Sequence, residues 1–73
     1  MPETKHVYAR YDADAGVWWA ESDDVPGLVS EAATLDALMD RVLAVAGELM
    51  AANGAGAGEV SLEFTATRPV VMA

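Results

Sequence analysis

The chain has 73 residues, no cysteine and a net charge of −8, which comes from twelve acids against four bases. The four bases, Lys5, Arg10, Arg41 and Arg68, are scattered, so direct binding to nucleic acid or to an anionic membrane is not expected. The length predicts one domain over residues 1–73 with a core at about 6–67, and neither disulfides nor thiolate metal sites can stabilise it.

Two strands are predicted in the first third of the chain. Residues 6–11 alternate, with Val7, Ala9 and Tyr11 on one face, which is typical of a strand. The segment 12–16 is rich in turn formers, and its Gly16 can take a positive φ. Residues 17–22 form the second strand, in which the adjacent Trp18 and Trp19 must point to opposite faces of the sheet.

A tight turn follows at Pro26-Gly27. Proline presets φ at the second position of a type II turn, and glycine accepts the positive φ at the third. The turn leads into a short third strand over residues 28–32.

A helix is predicted after Thr34, which is the expected N-cap, with Asp36 in the first turn. Asn53-Gly54 ends the helix and residues 55–58 form a linker. Apolar residues at steps of three and four predict one broad core-facing stripe. Its members are Leu35, Leu38, Met39, Val42, Leu43, Ala46, Leu49 and Met50.

The last strand is the most regular segment of the sequence. Apolar and polar residues alternate over 60–67, and Pro69 ends the strand because proline cannot donate to a ladder. Residues 70–73 form an apolar tail, either a short extension or a frayed end. The predicted fold is therefore α+β, a two-layer β-β-β-α-β arrangement. It has an antiparallel meander and a fourth strand parallel to strand one through a right-handed crossover.

Acids near the second strand invite a metal interpretation, and Asp12-x-Asp14-x-Gly16 begins like a calcium loop. That template needs glycine at position six and glutamate at position twelve, where this chain has Val17 and Asp23. Solvated turn acids are the better interpretation. His6 is the only histidine and has no predicted nucleophile beside it, so no catalytic, cofactor or metal site is expected.

One helix can cover only one face of a four-stranded sheet. If Trp18 packs under the helix with Tyr11, then Trp19 lies on the other face with Tyr8 and Arg10, and Arg10 can stack on Trp19. We predict these three residues, Tyr8, Arg10 and Trp19, as interface candidates. The alternative is that the two tryptophans straddle a curled sheet edge.

Several segments resemble the HicB-like antitoxin domain, and more closely a bacterial family of unknown function related to it. They are 16–20, the stretch 22–28 with its Asp-Val-Pro-Gly turn, and 31–38 with its Thr-Leu helix start. The likeness spans about residues 6–67. It implies a partial ribonuclease-H-like fold without catalytic carboxylates and a tendency to form dimers or tetramers. HicB proteins neutralise HicA, a small basic ribonuclease toxin, and usually carry a C-terminal DNA-binding segment, for which this chain has no room after residue 67.

The sequence thus predicts a non-enzymatic protein-binding domain without cofactors. One hypothesis is a HicB-type antitoxin with a basic protein partner, which suits the acidic charge. The other is a stand-alone self-assembling domain, since 53% hydrophobic residues and small size favour a homo-oligomer. The charge can also serve solubility alone. The N-terminus lacks the layout of a signal peptide, no apolar run can span a bilayer, and a cytoplasmic location is expected.

Overall fold

A computed structural model describes residues 3–52, 54, 60–70 and 72 of the chain. It contains four strands and one helix, in the order predicted. They are β1 (Glu3–Asp12), β2 (Val17–Glu21), β3 (Val29–Ala32), α1 (Leu35–Ala52) and β4 (Val60–Thr67).

The four strands form one mixed sheet in the order β3-β2-β1-β4. Strands β1, β2 and β3 are antiparallel neighbours, whereas β4 runs parallel to β1, with Val7 paired to Phe64. Parallel neighbours cannot be joined by a tight turn, so the chain must cross over the sheet between them, and α1 lies in that crossover. The α+β meander with a fourth strand beside strand one is therefore confirmed.

The core lies between the sheet and α1. Its fully buried side chains come from the two central strands, from the turn before β3 and from the inner face of the helix. They are Val7, Ala9, Ala20, Val25, Leu28, Leu38, Val42 and Ala46. No buried polar side chain interrupts this layer among the described residues. Apolar burial is therefore its source of stability.

Helix α1 begins as predicted. The Oγ1 atom of Thr34 accepts a hydrogen bond from the N–H of Ala37 at 3.1 Å, which is N-cap geometry. At the other end Gly54 has φ +81° and donates its N–H to the Ala51 carbonyl. Asn53 and the predicted linker lie outside the described residues. Within the described part of the chain, no helix combines the length and apolar character needed to cross a membrane.

The predicted helix stripe is wrong at Leu43, whose surface is 54% exposed. At 3.6 residues per turn, Leu43 lies roughly 140° around the helix from the buried Leu38. Leu43 lies beyond the residues on that side of the helix that pack against the core, and α1 packs mainly against β3 and β2. Val45, which the stripe did not include, packs against the core instead.

Both predicted turns have the expected backbone geometry. Gly27 has φ +86°, and Leu28 donates its N–H to the Val25 carbonyl at 3.1 Å, which closes a turn with Pro26 and Gly27 at its centre. Gly16 has φ +68° and closes the first turn onto the carbonyl of Asp12. Residue 70 and residue 72 have no regular structure and are exposed, so no strand extension is seen there.

Four predicted strand boundaries need correction. Strand β1 starts at Glu3, three residues before His6, because β4 pairs with it from Glu3 to Arg10. It ends at Asp12, one residue after Tyr11. Strand β2 ends at Glu21, one residue before Ser22. Strand β3 starts at Val29, because the N–H of Leu28 belongs to the preceding turn.

Beyond the end of β2, two side chains take its place as hydrogen-bond partners of β1. The backbone N–H of His6 donates to Oδ2 of Asp24 at 2.7 Å, and the His6 carbonyl accepts from the hydroxyl of Ser22 at 2.5 Å. The same hydroxyl oxygen accepts the N–H groups of Asp24 and Val25, both at 3.1 Å. We call Ser22 and Asp24 the strand clamp, since together they satisfy both backbone groups of His6 and fix the start of the Pro26-Gly27 turn.

We predict that Ser22→Ala lowers the free energy of unfolding by about 1–3 kcal/mol, because three backbone groups lose a partner. Urea unfolding followed by circular dichroism measures the change. Ser61→Ala removes an equally small hydroxyl from an exposed position on β4 and is expected to stay within about 0.5 kcal/mol. Equal losses in the two variants would contradict a role for the clamp.

Candidate interaction surface

The side of the sheet opposite α1 is not covered by any described element. Strand register places alternate residues of all four strands on it, with Arg10 beside Trp19 and Tyr8 between Glu21 and Thr65. We call this surface the open face. The members that matter below are His6, Tyr8, Arg10, Trp19, Glu21, Val29, Glu31 and Glu63.

An aromatic and cationic row follows β1 along the centre of the open face. The rings of His6 and Tyr8 are stacked, 6.4 Å apart with 18° between their planes. The guanidinium carbon of Arg10 lies 5.7 Å from the ring centroid of Trp19. The predicted grouping of Tyr8, Arg10 and Trp19 on one face, with Arg10 stacked on Trp19, is therefore confirmed.

The two aromatic residues of this group differ in exposure. Tyr8 is 42% exposed, whereas Trp19 is only half-buried under its contact with Arg10. Trp18 lies on the helix side as predicted, with its ring 5.4 Å from that of Tyr11. Since β2 lies between β3 and β1, the alternative of a curled sheet edge is wrong.

Carboxylates flank the row on both sides, from β2 and β3 on one side and from β4 on the other. Glu21 pairs with Tyr8 across β1 and β2, Glu31 pairs with Trp19 across β2 and β3, and Glu63 pairs with His6 across β1 and β4. Arg10 is the only Lys or Arg among the members named above. The open face therefore presents aromatic surface at its centre and negative charge around it.

His6 lies between two carboxylates, one in the loop after β2 and one on β4. Its Nδ1 is 3.7 Å from Asp24 and its Nε2 is 3.4 Å from Glu63. Ser22 is also close, which brings serine, histidine and aspartate together. The Ser22 hydroxyl, however, donates to the backbone carbonyl of His6 and not to its ring, so it is not paired with a base as a nucleophile must be.

The acidic loop after β1 is organised by its own backbone. Oδ1 of Asp12 accepts the N–H groups of Asp14 and Ala15, at 3.0 and 3.3 Å. This contact is the turn role that the sequence assigns to these acids. Among the described residues, no group of three or more His, Asp or Glu side chains is placed to hold a metal ion.

A small cleft of about 170 Å³ opens where the ends of the sheet meet the end of α1. Its charged members include Lys5 and Glu3, and the hydrogen bond from the Lys5 ammonium group to the Glu3 carboxylate, 2.7 Å long, raises the pKa of Lys5 above its ordinary value. Asp24, Val25, Pro26, Met50 and Val60 complete the lining. The volume is below the roughly 300–1,000 Å³ of most small-molecule sites. The open face is therefore the stronger candidate.

Sequence reasoning missed the strand clamp and the position of Glu63 beside His6. Part of the clamp could have been predicted from local sequence, because a serine hydroxyl commonly accepts the backbone N–H groups of residues two or three positions later in a turn. Its contact with His6 spans 16 residues for Ser22 and 18 for Asp24. No local pattern reports a contact of that range.

Comparisons with known proteins identify a family but give no role. A family model described as "Domain of unknown function (DUF1902)" matches residues 4–73. The crystal structure of hypothetical protein TTHA1013, from the extremely thermophilic bacterium Thermus thermophilus, is similar over 96% of this chain and all of that one. The two share 48% identity with a TM-score of 0.82. No match was found among curated proteins. The predicted likeness to a bacterial family of unknown function is confirmed, and its relation to HicB stays a prediction.

A double-mutant cycle tests the Arg10–Trp19 contact. We expect Arg10→Met and Trp19→Leu to be coupled by about 0.5–1 kcal/mol in unfolding free energy, because the guanidinium lies over the ring. The matched cycle uses Arg10→Met with Trp18→Leu, in which the two residues lie on opposite faces and no coupling is expected. Coupling of the same size in both cycles would show that the effect is not the contact.

Proposed function

The chain belongs to the DUF1902 family, a domain of unknown function, and we propose that it is a non-catalytic protein-binding module. Its binding surface in this proposal is the open face, and its partner is a basic protein. The observation that carries the proposal is Tyr8, 42% exposed at the centre of a sheet face that α1 leaves uncovered.

The side chains at the centre of the open face are of the types that anchor protein interfaces. Tyrosine, tryptophan and arginine are enriched where binding energy concentrates. Trp19 and Arg10 hold each other in place, so less side-chain entropy is lost when a partner covers them. Tyr8, beside them on the central strand, is free to enter a pocket of the partner.

The charges around that centre favour a basic partner. Glu21, Glu31 and Glu63 surround the aromatic row, and the chain as a whole carries −8. Complementary charge at the rim of an interface speeds association and excludes partners of like charge. The same field argues against nucleic acid as the ligand.

In its finer form the proposal is a HicB-type antitoxin that neutralises a small basic ribonuclease toxin in the cytoplasm. The resemblance of residues 16–38 to HicB-like domains supports it, and so does the acidic open face. Binding would then mask the basic surface that the toxin uses for RNA.

The alternative function is a stand-alone self-assembling domain with no toxin partner. Exposed apolar side chains favour it, since Val29 is 73% exposed and Val70 is 80% exposed. A dimer or tetramer would cover such surface. Because Val29 lies on the open face, the two functions would share part of that surface.

Co-purification with the product of a small basic reading frame beside this gene tests the proposal, followed by calorimetric titration of the pair. We expect Tyr8→Ala to weaken binding about 30-fold, as the loss of a central aromatic anchor typically costs 2 kcal/mol or more. Leu43→Ala is the control, since Leu43 is also an exposed apolar residue but lies on α1.

Two results would contradict the proposal. One is the absence of binding to any such neighbour, which removes the antitoxin form. The other is equal weakening by Tyr8→Ala and Leu43→Ala, which would place the contact elsewhere than on the open face.

A further inference from the structure

The two edges of the sheet are not equivalent. Strand β3 is only four residues long, and Nη1 of Arg41 donates a hydrogen bond to the Glu31 carbonyl at 3.1 Å. A short edge whose backbone is capped by a side chain is a poor site for strand addition. The β3 edge is thus protected by the fold itself.

Strand β4 has none of that protection. It is eight residues long and pairs with β1 along one side. Within the described part of the chain, no hydrogen bond from any other element reaches its outer side. Proline and lysine, which commonly block sheet edges, do not occur between Val60 and Thr67. Its one charged side chain, Glu63, turns towards His6 on β1, away from the free edge.

The helix side of β4 also carries apolar surface that one copy of the chain covers only in part. Leu62 and Phe64 pack against the core but remain partly exposed, because α1 lies mainly over β3 and β2. A strand added beside β4 would cover more of Leu62 and Phe64.

We propose that two copies of the chain join through β4, antiparallel, with Phe64 on the twofold axis, to form a continuous eight-stranded sheet. This inference concerns a different surface from the open face, and it gives the self-association expected of the chain a specific geometry. It does not depend on the existence of a basic partner.

The sequence of β4 selects this register over its neighbours. With Phe64 opposite Phe64, Leu62 meets Ala66 on the helix side, and Glu63 meets Thr65 on the open face. A shift that centres the axis on Glu63 would oppose two carboxylates, which is unfavourable. A register with the axis midway between Glu63 and Phe64 would place apolar residues opposite polar ones on both faces.

Local charge favours a second copy as the occupant. Two chains of net charge −8 repel each other over most of their surface, but Glu63 and Arg68 balance within residues 60–68, so two copies of this segment can approach each other without net repulsion. Val70 and Met72, 80% and 84% exposed, continue directly from β4 and add apolar area to a contact there.

A charge pair at Thr65 tests the register by sedimentation velocity over micromolar concentrations. Thr65→Glu would place a carboxylate opposite Glu63 of the other copy, and the twofold axis makes this repulsive pair occur two times. We therefore expect the dimer dissociation constant to rise about tenfold. Thr65→Lys would place an ammonium group there, and we expect the dissociation constant to fall.

Thr4→Glu and Thr4→Lys are the matched controls. Thr4 is also an exposed threonine on the open face, but it lies on the inner strand β1. Both control variants should dimerise as the parent chain does. A parent chain that stays monomeric at tens of micromolar would overturn the proposal, as would equal effects at Thr4 and Thr65.

Cysteine cross-linking gives a second measurement that survives a loss of affinity. The chain has no native cysteine, so Phe64→Cys puts a single thiol on the axis, where directly opposite Cβ atoms are about 4.5–5.5 Å apart. Rapid disulfide dimerisation of Phe64→Cys, and slow dimerisation of Val29→Cys on the β3 edge, is the expected result. Equal rates, with both variants folded by circular dichroism, would contradict pairing through β4.

Failure of this test and failure of the proposed function are distinguishable. Thr65→Lys changes a residue at the periphery of the open face, and Tyr8→Ala changes its centre. If β4 pairing is absent, the calorimetric loss expected from Tyr8→Ala still stands. If no basic partner exists, the sedimentation and cross-linking results are unaffected.

Discussion

The structure depends on the need of β1 for hydrogen-bond partners along both of its sides. Buried backbone groups are almost always paired, and β1 is the longest strand in the sheet. Strand β4 serves one side from Glu3 to Arg10, and β2 serves the other from Tyr8 to Asp12. The strand clamp of Ser22 and Asp24 then supplies partners for His6. The backbone of β1 is thus hydrogen-bonded by two strands and by two side chains.

The position of the open face follows from that constraint. Because β4 is parallel to β1, the chain must cross the sheet between β3 and β4, and α1 occupies one face as it does so. Among the residues that the structure describes, none forms a second layer on the other face, so its side chains face outward. That face carries Arg10 stacked over Trp19, and it carries the carboxylates around Tyr8. Binding through side chains on that face and pairing through the backbone of β4 use separate surfaces at right angles to each other.

Much of this architecture could be predicted from local pattern. The alternation of residues 60–67, the Pro26-Gly27 pair and the Thr34 cap each report a conformation that only their own neighbours determine. The opposite faces of Trp18 and Trp19 follow from strand geometry alone. The start of β1 at Glu3 could not be predicted, because residues 3–5 lack apolar alternation and become a strand through β4. The exposure of Leu43 could not be predicted either. Its spacing fits the apolar stripe, but how much of the helix is buried depends on where the sheet ends, and the helix sequence does not show that. The capping of the β3 edge by Arg41 is also non-local.

The pairing of β1 with β4 has a consequence for the synthesis of the chain. Each residue of β1 from Glu3 to Arg10 pairs with one 57 positions later, as Glu3 does with Val60. Contacts of such long range slow folding, and translation delivers residues at only about 5–20 per second. A ribosome therefore takes about 3–11 s to add the 57 residues that separate each of these residues from its partner. During that interval the side of β1 that will face β4 is bare, and it is β1 that is then open to attachment by a strand of another nascent chain.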